Sequence, residues 1–124
     1  DGFDVFAGSE SFLLANMKNG GAGCISATAN VNPAAIDKLY REWRTPDAEQ
    51  QQDALNAVRK TVGQYVMIPA LKAVVAHYSK DPQWATVRPP LTELTAAQAK
   101  NVIDGLRKLS FDMPGLEQAQ AKAA

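Results

Sequence analysis

"VFAGSESFLLANMKNGGAGCISATANVNP", residues 5–33, decides the fold. Val5-Phe6-Ala7 is a short apolar run closed by Gly8, and Cys24-Ile25 is a second one set among small residues. Short apolar runs bounded by glycine fit strands buried on both faces of a parallel sheet better than alternating, half-exposed strands. Between them, Ser9 or Ser11 can cap a helix whose apolar face is Phe12, Leu13 and Met17. Asn19-Gly20-Gly21 then stops that helix. Residues 5–26 therefore predict strand, helix, strand, which is a compact parallel crossover.

The rest of the chain reads as helices. Asn32-Pro33 opens one, with Ala35, Ile36, Leu39, Tyr40 and Trp43 on its apolar face. Thr45-Pro46-Asp47 interrupts the pattern. From Ala48 to His77 the periodicity is helical again, with Pro69 expected to kink or divide it because proline lacks an amide donor. "KDPQWATVRPPL", residues 80–91, is a proline-rich loop. Thr95 caps a further helix with Ala99, Val102, Ile103, Leu106 and Leu109 inward, and the tail from Met113 predicts a short, fraying helix. Two parallel strands do not make a sheet by themselves. The missing strands are expected from a segment outside these residues, so the chain reads as lacking the N-terminal half of a larger α/β domain.

Composition narrows the function classes. Of 124 residues 46% are hydrophobic, an ordinary globular share, so disorder is not the default. Lysine plus arginine and aspartate plus glutamate number 13 each, and no basic stripe points to nucleic acid. One cysteine and one histidine exclude an internal disulfide and a cysteine-based zinc cluster. The single cysteine fits a reducing compartment, and no apolar run reaches the roughly 18 residues of a membrane span. A cytoplasmic protein with no membrane partner is the expectation. Every lysine falls on a predicted helix or loop, so none is assigned as a nucleophile; an attacking amine must be desolvated or charge-perturbed. "NGGAG", residues 19–23, lacks the Lys-Ser/Thr ending of a phosphate-binding P-loop. Gly8 reads either as a tight turn or as a place where a ligand approaches backbone. Ser9 and Glu10 read as helix-entry residues or as site residues, and Cys24 as a small buried hydrophobe.

From Asp4 to Leu109 the chain resembles one family in several separated blocks. These are residues 5–33 with "GCISATANV", then "IPALKAVV", then "VRPPLTELT". Together they are similar to the C-terminal part of the dihydrodipicolinate synthase and N-acetylneuraminate lyase family, pyruvate-dependent class I aldolases. The resemblance implies an α/β fold, the C-terminal part of a (β/α)8 TIM barrel. Residues 1–32 would hold the last two strand units (strands 7 and 8), 33–46 the final barrel helix, and 47–124 a C-terminal helical extension.

The implied function is part of a Schiff-base-forming lyase that adds pyruvate to an aldehyde or cleaves it from one. The alternative is a non-catalytic helical assembly module. The implied substrate-binding residues are Gly8, Ser9, Glu10, Ile25 and Ser26, and small side chains follow Ile25 because a small 2-oxo acid must fit beside them. The family's Schiff-base lysine and catalytic tyrosine precede residue 1. Many dihydrodipicolinate synthases carry Gly-Asp-Asp where this chain has Gly8-Ser9-Glu10. No cofactor is implied beyond pyruvate held as a Schiff base. The implied partners are the N-terminal half of the barrel, pyruvate, an aldehyde, and further copies in a homo-oligomer, commonly a homotetramer.

Overall fold

The structure is a computed structural model and describes residues 2–114 and 116. The tail helix predicted beyond Met113 lies outside the described residues, apart from Pro114 and Leu116. The chain forms two compact units, Asp1–Arg59 and Lys60–Ala124.

In the first unit, β1 (Phe6–Ala7) and β2 (Gly23–Cys24) pair in parallel, with Phe6 opposite Gly23 and Ala7 opposite Cys24. The Ala22 amide donates to the Val5 carbonyl at 2.8 Å, and the Ile25 amide to the Ala7 carbonyl at 2.9 Å. The predicted crossover is therefore present, through α1 (Leu13–Lys18). Asn16 on α1 braces it: its Nδ2 donates to the carbonyls of Val5 and Gly23, each at 2.9 Å. This brace is why glycine stands at position 21. A Cβ there would sit 2.2 Å from the Asn16 amide nitrogen, closer than any side chain tolerates.

A 3-10 turn, Glu10–Phe12, precedes α1, and Ser9 caps it by accepting the Ser11 amide at 3.1 Å. The turn winds three residues per revolution instead of 3.6, which shifts the inward positions along the chain. Leu13 and Leu14 are buried, while Phe12, expected inward, is exposed. In α2 (Pro33–Glu42), Pro33 takes the first position and Ile36 and Leu39 point inward. These residues pack with Leu13, Leu14, Ala48 and Leu55 into one core, which Met17, Cys24, Ala29 and Trp43 border.

The helical run from Ala48 to His77, expected to be kinked or divided at Pro69, is divided into two helices, α3 (Ala48–Val62) and α4 (Met67–Ser79). The break falls at residues 63–66, ahead of Pro69. Gly63 opens it, and Val66 leaves the helical region at ψ 123°. Pro69 then sits in the first turn of α4, where an amide has no intrahelical acceptor and proline loses nothing. In the second unit, α4 packs against a 3-10 turn, Pro82–Ala85, and against α5 (Ala96–Lys108). Leu71 and Val74 are buried on α4, as are Val102, Ile103 and Leu106 on α5. Thr95 makes the predicted cap, reciprocated by Gln98. Among the described residues no helix is long and apolar enough to cross a membrane.

Candidate functional site

The parallel register carries Gly8 alongside Ile25, each the residue that follows its strand. Both are open. Ile25 is 73% exposed, although a strand residue of this kind is expected in a core. A Cβ built on Gly8 would meet nothing within 4 Å, so packing among the described residues does not demand glycine there.

The three polar candidates turn the other way. Glu10 is 1% exposed, and its carboxylate gathers donors from both turns that follow the strands. Ser26 Oγ and Thr28 Oγ1 make short hydrogen bonds to Oε2 and Oε1 respectively. Ser9 Oγ reaches Oε2 at 3.4 Å, and Arg59 on α3 donates to Oε2 at 2.9 Å. The same guanidinium lies 3.4 Å from Ser26 Oγ, and the Ser26 and Thr28 hydroxyl oxygens lie 3.0 Å apart. Gln52 completes the junction. Its Nε2 donates to the Glu10 carbonyl at 2.9 Å and its Oε1 accepts the Leu14 amide at 3.0 Å.

The electrostatics follow from this geometry. Burial pushes the Glu10 carboxyl up. Hydrogen bonds from Ser26, Thr28 and its own amide, with the Arg59 charge, outweigh burial and hold the group below the usual carboxylate range. Glu10 is therefore an ionised acceptor with its oxygens occupied by this chain. Cys24 is pushed up by burial and by the Glu10 charge, so it stays a thiol, as a packing residue should.

Ser9, Glu10 and Ser26 thus form one cluster, with Gly8 and Ile25 beside it on an open face. Sequence reasoning missed Arg59 and Gln52, which reach Glu10 across 49 and 42 residues of chain. Neither carries a local signal, since arginine and glutamine are ordinary on any solvated helix. A groove of about 500 Å³ lies elsewhere in the first unit, lined by Phe6, Leu13, Cys24, Pro33, Ile36 and Tyr40 among others, and includes none of the five candidates. No described lysine lies on a strand, and among the described residues no group of His, Cys, Asp and Glu is placed to hold a metal ion.

The model of the dihydrodipicolinate synthetase family matches residues 1–109. The 4-hydroxy-tetrahydrodipicolinate synthase of Methanopyrus kandleri is 28% identical over 121 residues, 90% of this chain and 37% of that protein. Two solved structures share the fold. One is the Escherichia coli K12 prophage protein YagE, of the dihydrodipicolinic acid synthase family, in complex with pyruvate. It matches with a TM-score of 0.76 at 23% identity, over 89% of this chain and 38% of that one. The other is a 2-keto-3-deoxygluconate aldolase from Sulfolobus in complex with D-KDPG. Its TM-score is 0.76 at 15% identity, over 86% of this chain and 37% of that one. The α/β arrangement described above is therefore the fold of part of such proteins, and the chain spans 37% of the length of the Methanopyrus relative.

Proposed function

The chain belongs to the dihydrodipicolinate synthetase family, and on that premise we propose that it forms part of a pyruvate-dependent class I aldolase or lyase. The observation that carries the reading is the pair of open strand ends, Gly8 beside Ile25, at the face where barrels of this architecture place their chemistry. In this reading strands 7 and 8 of a (β/α)8 barrel are β1 and β2. The nucleophilic lysine comes from a segment outside these residues. Its amine attacks C2 of pyruvate and water leaves; the iminium then loses a proton from C3, and the resulting enamine attacks an aldehyde carbonyl. The reverse sequence cleaves a 4-hydroxy-2-oxo acid. Gly8 leaves room for the substrate and Ile25 bounds the pocket at the pyruvate methyl group. The homo-oligomer belongs to the same proposal, and the exposed Val66, Ile68 and Trp84 of the second unit are apolar surface it would cover.

Borohydride reduction of the full-length protein with pyruvate tests the reading. One reduced pyruvate per chain is expected in the intact mass, on a lysine outside residues 1–124. A helical assembly module would trap none, and that result would end the aldolase reading.

Ile25 gives a second test. Ile25→Ala widens the pocket by the branched side chain, so turnover with pyruvate is expected to fall. Preference for a 2-oxo acid one carbon longer should rise by roughly tenfold, the lower end of what a methylene-sized change in a pocket delivers. Ile25→Val keeps the branch and should stay near wild type. An unchanged preference in folded Ile25→Ala removes Ile25 from the pocket.

A further inference from the structure

We propose that Arg59 is a positioning residue for this reaction: from α3 it holds Glu10, and through Glu10 the Ser26–Thr28 turn, so that the strand ends bearing Gly8 and Ile25 keep one arrangement. The proposal rests on the aldolase reading for its catalytic consequence, but its geometry stands on its own. Among the described residues, the last backbone hydrogen bond joining the two segments is the one from the Ile25 amide to the Ala7 carbonyl. Beyond it the turns after β1 and β2 are joined by side chains. Glu10 supplies the shared acceptor, with Ser26 and Thr28 bound from one turn and Ser9 from the other. Arg59 is the cation of the junction. It touches both the carboxylate and the Ser26 hydroxyl from a single nitrogen, at 2.9 and 3.4 Å.

A carboxylate that is 1% exposed keeps its charge only with a partner. Without Arg59 the carboxyl loses the cation that faces it, so its value rises and hydrogen bonds alone oppose the burial. A protonated Glu10 donates through one oxygen and accepts chiefly through the other, so its bonds to Ser26 and Thr28 must rearrange and its hold on their turn loosens. The titratable and charged groups facing Glu10 are Arg59 from α3 and Cys24 from β2, and the thiol stays neutral because burial and the Glu10 charge push it up. Arg59 is therefore the positive charge that faces Glu10 among the described residues, and it adds to the hydrogen bonds that hold the group ionised. The guanidinium is suited to the task because the two hydrogens of Nη1 are held in its plane and can serve two acceptors, whereas a lysine ammonium presents its donors on a compact group that turns freely.

The test compares full-length wild type, Arg59→Met and Arg59→Lys. Hydrogen–deuterium exchange should rise roughly tenfold across residues 25–31 in Arg59→Met, with no change in the segment holding Ile36 and Leu39. Per trapped pyruvate site, kcat is expected to fall by about ten- to a hundredfold, the scale on which ångström misplacement acts. The acid limb of the kcat profile should move toward neutral pH, and Arg59→Lys should recover part of both. If Arg59→Met does not fold, Thr28→Val removes one donor at constant shape and should show the same changes in smaller measure. Wild-type exchange across residues 25–31 in the folded variants overturns the lock. Wild-type kcat and pH profile per trapped site, with faster exchange, reduce Arg59 to a stabilising residue and overturn its positioning role. Failure of wild type to trap pyruvate sinks the aldolase reading instead, and the exchange result alone then judges the lock.

Discussion

Residues 1–124 expressed alone are expected to show no sharp, cooperative thermal transition as a monomer. Among the described residues the first unit pairs two short strands, and a two-stranded sheet is marginal in water. Both outer strand edges present unpaired backbone groups that attract other chains. Phe3, Val5, Phe6, Phe12 and Ile25 of this unit are all exposed. An apolar surface of this extent on a monomer invites association rather than solution. Light scattering should find self-association at micromolar concentration, and near-ultraviolet circular dichroism should melt broadly. A monomer with one sharp transition would overturn the expectation.

Glu10→Ala in the full-length protein is expected to cost about 3 kcal/mol of stability, the lower end of what breaking a buried ion pair costs. The lower end applies because the Arg59 side chain is 30% exposed and can turn partly to water. The hydroxyls of Ser26 and Thr28 retain each other at 3.0 Å, which limits the loss further. The pH dependence has a definite sign. The folded-state value of Glu10 is depressed, so its contribution is complete above the unfolded value of roughly 4.3 and disappears as pH falls through the lower folded value. Wild type and Glu10→Gln should therefore differ most at neutral pH and converge in acid. Urea unfolding at several pH values reads both effects. A loss within about 0.5 kcal/mol for Glu10→Ala, the size of an ordinary surface change, would mean that the junction does not hold the strand ends.

The strand, helix, strand order of residues 5–26 was legible because each signal is local. Apolar runs bounded by glycine, a serine cap and a glycine stop act within a few residues of themselves. The same holds for Thr95 with Gln98 and for Pro33 at the start of α2. The division at residues 63–66 was misplaced for the opposite reason. Pro69 is the stronger local signal, yet a proline in a first turn costs nothing, and only the position of the helix start reveals that it is there. Phe12 was misassigned because a 3-10 turn ahead of α1 changes the helical phase, which periodicity alone does not register.

The candidate site divides along the same line. Gly8, Ser9, Glu10, Ile25 and Ser26 were found together because they flank two strand ends, and a parallel crossover brings such ends side by side. Which of them face outward was decided by tertiary structure. Gly8 and Ile25 are open, whereas Ser9, Glu10 and Ser26 turn inward to share one buried charge. Arg59 and Gln52 belong to that cluster only because α3 returns against the turns after β1 and β2. A buried carboxylate needs donors from wherever the fold can supply them, and no pattern along the chain names a partner 49 residues away.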